Sequence, residues 1–131
     1  MRGTHANDSQ ACIRLAIFDG QSLAAGGLHE PTPEQLERFR QKIDQHSLTF
    51  KEITASKDFV ELFVAVEGER LKTAPKGYDR NHPAISLLQL KQITIFHHFS
   101  DQEVLDPGFS AQLVRVCRAM KPFLQYLEDV I

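Results

Sequence analysis

Apolar and polar positions along this chain change period several times, and each change marks an element. Residues 1–10 (MRGTHANDSQ) have no period and read as a loose tail over residues 1–11. The run CIRLAIF then alternates. Ile13, Leu15 and Ile17 share one face, and Arg14, Ala16 and Phe18 share the other, which predicts a strand. Asp19-Gly20 is a turn signal, with Leu23-Ala24-Ala25 as the return strand of a hairpin. Gly26-Gly27 reads as the end of that strand or a bulge, with a close backbone approach as the alternative.

The period next becomes helical. Thr32 is an N-cap, Pro33 suits the first helical position and Gln35 completes a capping box. Leu36, Phe39 and Ile43 make the apolar stripe, while Glu34, Glu37, Arg38, Arg40 and Lys42 face solvent. Ser47 and Ser56 are further N-caps, predicting short helices that carry Phe50 and Ile53, then Phe59, Leu62, Phe63 and Val66. Gly68 is placed to stop the last. Residues 69–82 are polar, basic and punctuated by Pro75 and Gly77, which predicts a loop. Asn81 or His82 can cap a mostly buried helix with Pro83 at its start. Gln92 to Phe99, rich in β-branched and aromatic residues, predicts a strand.

Ser100-Asp101-Gln102-Glu103 is a second capping box, with Phe99 able to staple onto Val104. From Pro107 onward Phe109, Leu113, Val116, Met120, Phe123, Leu127 and Val130 form one buried face of a long helix. Pro122, inside it, lacks an amide proton and predicts a kink near Arg118.

Composition narrows the class. The chain has 131 residues, 42% hydrophobic and 24% charged, enough for a single domain with its own core. A net charge of −2 and a pI near 6.3 give no broad field for nucleic acid or an anionic membrane. Cys12 and Cys117 make neither a disulfide framework nor a zinc set and read as packed, reduced thiols. No secretory signal and no membrane-length apolar run is present, so the expected compartment is the cytoplasm.

Three ordered motifs carry a resemblance: KTAPKGYDRNHPAISLLQLKQ (72–92), FSDQEVLDPGF (99–109) and RAMKPF (118–123). The chain from about residue 12 to 131 resembles the bacterial and fungal domain-of-unknown-function family 2461. The resemblance implies an α+β fold with a largely antiparallel sheet and carries no established activity. Typical members are longer, with a basic aromatic segment ahead of the first strand that residues 1–11 do not match. The expected organisation is therefore a tail over 1–11 and one α+β domain over 12–131, read as the truncated C-terminal part of a longer family domain. A missing strand would leave a sheet edge exposed, which predicts a homodimer through that edge.

Candidate chemistry centres on loop 70–82. Arg70, Lys72, Lys76 and Arg80 place four cations on one segment, with Tyr78, Asp79 and His82 interleaved. A phosphate or carboxylate would want such donors. Lys72, Lys76, Tyr78 and Arg80 are accordingly the ligand-binding candidates for a small anion. The competing assignment is turn chemistry with solvated lysines. Asp79 and His82 are the catalytic candidates, as an acid–base pair, although no matched nucleophile accompanies them beyond Ser86, one turn on. His97 and His98 would point to opposite faces of a strand and cannot share one ion, so no metal is assigned. Tyr126, Glu128 and Asp129 read as a solvated or fraying end. No cofactor is implied. The reading is a non-catalytic binding or interaction module, with an enzyme using His82 and Asp79 as the alternative.

Overall fold

In the computed structural model, residues 12–16, 22–63, 66 and 68–130 are described, the first five as backbone only. The tail over 1–11 and the Asp19-Gly20 turn lie outside them. The predicted hairpin strands pair as β1 (Cys12–Ala16) and β2 (Ser22–Leu28), antiparallel, with Cys12 opposite Gly27. β3 (Ile93–Phe99) pairs antiparallel with the other side of β2, Leu28 opposite Ile93 and Ser22 opposite Phe99. The sheet order is β1-β2-β3. With its helices this is the expected α+β fold.

β2 does not end at Gly26-Gly27, as the sequence suggested. It continues to Leu28, because Gly27 takes φ +112 and lets β3 come very close. A Cβ there would sit 2.0 Å from the Ile93 carbonyl oxygen and 3.2 Å from the Phe123 ring. The close-approach alternative is the one that holds. Along the same strand Ser22, Ala24 and Gly26 are small, and they lie opposite Phe99, His97 and Ile95. That leaves room for helices against the sheet.

α1 (Pro33–Ala55) starts on the predicted capping box, with the Thr32 hydroxyl accepting from the Gln35 amide and the Gln35 side chain accepting from the Thr32 amide. The helical run breaks at His46 (φ −133, ψ 37), just before Ser47, so the stretch carrying Phe50 and Ile53 starts where the sequence predicts a new helix, joined to the first across a kink. Ser56 separates α1 from α2 (Lys57–Phe63), its hydroxyl donating to the Ile53 carbonyl at 2.8 Å. Gly68 does not stop α2, which ends at Phe63; at φ +146 it lies against Gln92, where a Cβ would meet the carbonyl oxygen at 2.7 Å.

α3 (Ile85–Leu88) is a single turn that begins two residues beyond Pro83. α4 (Asp101–Leu105) opens on the second predicted capping box, Ser100 with Glu103. The amide and hydroxyl of Ser100 hold the Glu103 carboxyl below the usual glutamate range. α5 (Phe109–Leu127) runs through Pro122 and buries Val116, Met120, Phe123, Tyr126 and Leu127. Tyr126 is a correction to the solvated end predicted from sequence: it is 5% exposed.

An aromatic cluster closes the core. Phe50 stands 5.7 Å from Phe39, 5.9 Å from Phe123 and 5.1 Å from Tyr126, ring centre to ring centre. Phe59 extends the cluster from Phe123 to Phe63. Buried rings of this size supply much of the apolar area that drives folding.

α1 also fastens the end of α5. Arg38 Nε donates to the Val130 carbonyl at 2.8 Å, and the Lys42 ammonium donates to the Tyr126 carbonyl and pairs with Asp129 at 3.2 Å. The Tyr126 hydroxyl in turn donates to the His46 carbonyl at 3.2 Å, a backbone acceptor at the bend. Cations on carbonyls at a helix C-terminus also complement its dipole. No helix among the described residues is long and apolar enough to cross a membrane.

Candidate functional site

Loop 70–82 is ordered by local chemistry. Its entry is tied down where Arg70 bridges to Leu90, with the Leu71 amide donating to the Gln89 carbonyl and the Lys91 amide to that of Glu69. Arg70 Nε donates to the Ser86 carbonyl at 3.2 Å, which ties this side chain to the start of the following helical turn. Pro75 to Tyr78 make a turn closed by the Tyr78 amide on the Pro75 carbonyl at 3.1 Å. Gly77 supplies φ +93 at the third position, which a type II turn requires. Asp79 to His82 make the next turn, in which Asp79 Oδ1 accepts the Asn81 amide at 2.8 Å.

The first of these turns faces α1 across a recess of about 580 Å³, lined by Pro33, Glu37, Arg40, Asp44, Lys76, Gly77 and Tyr78. That volume lies within the roughly 300–1,000 Å³ of small-molecule sites. Of the four ligand-binding candidates, Lys76 and Tyr78 line it. Lys72 and Arg80 are exposed and are not among its lining residues. Glu37, Arg40 and Asp44, read from sequence as part of a solvated helix face or not singled out at all, form the opposite wall. Their spacing of three and then four residues is the one available signal: it places them on one side of a helix, facing whatever packs there.

Arg40 Nε donates to the Leu88 carbonyl at 2.8 Å, which fixes the guanidinium and leaves its terminal nitrogens for the recess. Burial lowers its pKa from the ordinary value. Tyr78 is half-buried, and burial first, then Asp44, push its phenol above the ordinary range while Arg40 pulls the other way. The hydroxyl therefore keeps its proton at neutral pH and can donate.

His82 does not pair with Asp79 through its ring. Nε2 lies 2.6 Å from Asp44 Oδ1, and Nδ1 accepts the Ala84 amide at 3.0 Å. Both ring nitrogens are occupied, and the Asp79 carboxylate serves its turn. On β3, His97 and His98 do lie on opposite faces: His97 Nδ1 meets the Leu62 carbonyl at 2.9 Å, and His98 is exposed. No group of three or more metal-ligating side chains occurs among the described residues.

A family model described as "Conserved hypothetical protein (DUF2461)" matches residues 2–126, taking in the segment 2–11 ahead of the first strand as well as the motifs quoted above. No curated protein and no solved structure matches.

Proposed function

The chain belongs to the DUF2461 family of conserved hypothetical proteins, and from that premise we propose that it is a binding module whose recess between α1 and loop 70–82 receives a small ligand bearing an anionic group. One observation carries the reading: Lys76 and Tyr78 on the loop meet Arg40 on α1 across a single recess. An ammonium, a partly desolvated guanidinium and a protonated phenol are all donors, and charge-assisted hydrogen bonds to an oxyanion are about twice as strong as neutral ones. The fixed turn at Gly77 presents two of these donors at little entropic cost on binding.

Binding is better supported than catalysis. A general base needs a free lone pair within reach of a substrate proton. Both nitrogens of His82 are engaged, one with Asp44 and one with a backbone amide. That is a ring used to hold the loop against the helix. The free thiol of Cys117 suits the reducing cytoplasm expected from the sequence.

The test is an amide NMR titration of the full chain with inorganic phosphate. Shifts are expected at Arg40, Lys76, Gly77 and Tyr78 in the native protein and in Lys72→Ala, and their loss in Lys76→Ala. Identical titrations of native protein and Lys76→Ala overturn the proposal.

A further inference from the structure

We infer that the ligand of this recess is a zwitterion, its anionic group met by Arg40, Lys76 and Tyr78 and its ammonium group met by Glu37 and Asp44; the inference rests on the anion-binding reading above. The starting point is charge. The recess holds two cations and two carboxylates, and so has no net charge of its own. Such a set usually means a surface network in which the charges satisfy each other. Here they do not. Among the described residues, the ion pairs are Lys42 with Asp129, Lys91 with Glu69 and Arg115 with Glu61, and Asp44 is hydrogen-bonded to the His82 ring. None joins Glu37, Arg40 or Lys76 to another charge of the recess.

Each of the four groups keeps unused capacity. Glu37 and Lys76 are exposed and carry no ion pair or hydrogen bond to a described residue. Arg40 uses Nε alone on Leu88, and Asp44 uses Oδ1 on His82, leaving Oδ2. The His82 contact also restrains the Asp44 side chain, so one carboxylate of the pair is held by its neighbour.

This arrangement selects against a simple anion. Phosphate placed between Arg40 and Lys76 also lies beside Glu37 and Asp44, and like-charge juxtaposition is unfavourable. An amine alone meets the reverse problem. A molecule with both groups, such as an aminoalkyl phosphate or an amino acid, presents a complementary charge to each wall. The spacing on α1 sets the order: Arg40 stands between Glu37 and Asp44, so the anionic group belongs in the middle of the helix face with a carboxylate to either side.

The experiment compares inorganic phosphate, ethanolamine and O-phosphoethanolamine by amide NMR titration of the full chain. O-phosphoethanolamine is expected to bind roughly tenfold more tightly than phosphate, the gain of one charge-assisted contact. Glu37→Gln is expected to remove most of that advantage while phosphate binds as well or better. Glu37 is exposed and makes no hydrogen bond or ion pair to a described residue, so this variant tests the site rather than stability. Equal affinity for phosphate and O-phosphoethanolamine in the native protein overturns the zwitterion inference and leaves the anion site standing. So does an advantage that survives both Glu37→Gln and the double variant with Asp44→Asn. Absence of any shift with all three probes overturns both readings. β-Alanine binding more tightly than O-phosphoethanolamine, with the same dependence on Glu37, supports the inference and identifies the anionic group as a carboxylate.

Discussion

His82 reaches from the loop to Asp44 on α1, Nε2 to Oδ1 at 2.6 Å, while its Nδ1 accepts the Ala84 amide at 3.0 Å. An amide can only donate, so Nδ1 must be the unprotonated nitrogen and Nε2 the one that carries the hydrogen. Two elements thirty-eight positions apart in sequence are joined by a ring whose tautomer is set by the backbone.

That gives the first prediction. In long-range nitrogen–proton NMR spectra of the neutral ring, His82 should show the Nε2–H pattern. His82→Ala should cost about 1–2 kcal/mol in urea unfolding, since it leaves an amide and a carboxylate without their partners. It should also broaden the amides of residues 76–78. An Nδ1–H pattern contradicts the pairing with Asp44.

Tyr126 supplies a pH dependence. Burial pushes its phenol up to about 12. Between the ordinary phenol range and that value, the folded protein holds a proton that the unfolded chain has released. Stability is then present in full below the ordinary range and falls as pH rises toward 12. Tyr126→Phe removes the hydrogen bond to the His46 carbonyl, costing about 1 kcal/mol at neutral pH. The same change should flatten the alkaline loss. Denaturant unfolding of both proteins from pH 8 upward checks this, and parallel curves refute it.

Two glycines with positive φ should behave differently. Gly27→Ala forces a methyl to 2.0 Å from the Ile93 carbonyl oxygen, which only separation of β2 from β3 can relieve. A loss of at least ~3 kcal/mol or failure to fold is expected. Gly77→Ala meets no atom within 4 Å and carries only the strain of φ +93, about 1–2 kcal/mol. Equal losses for the two in urea unfolding would refute the distinction.

The features legible in the sequence are those whose causes are local. Thr32 with Gln35 and Ser100 with Glu103 are capping boxes because four adjacent residues make them so, and both helices begin where expected. Gly27 and Gly68 owe their role to strand and backbone segments far along the chain, which no local pattern reports. Tyr126 was misplaced for the same reason: Lys42 lies 4.2 Å from the centre of its ring, on a different helix. For the recess, the loop half was visible as a cluster of cations around Pro75 and Gly77. Of those cations only Lys76 lines the recess among the described residues, with Tyr78 beside it. The helix half was hidden because apolar periodicity identifies the buried face and treats every other face as solvent.

α1 is where these observations meet. Within one stretch it gives Arg38, Lys42 and the His46 carbonyl to the end of α5, and Glu37, Arg40 and Asp44 to the recess. Residues doing the two jobs alternate along a single helix and occupy two of its faces, so α1 links the two parts. In hydrogen exchange the middle of α1 and the last turn of α5 should therefore form one cooperative unit. A ligand held by loop 70–82 would be felt, as slowed exchange, at Tyr126 and Leu127.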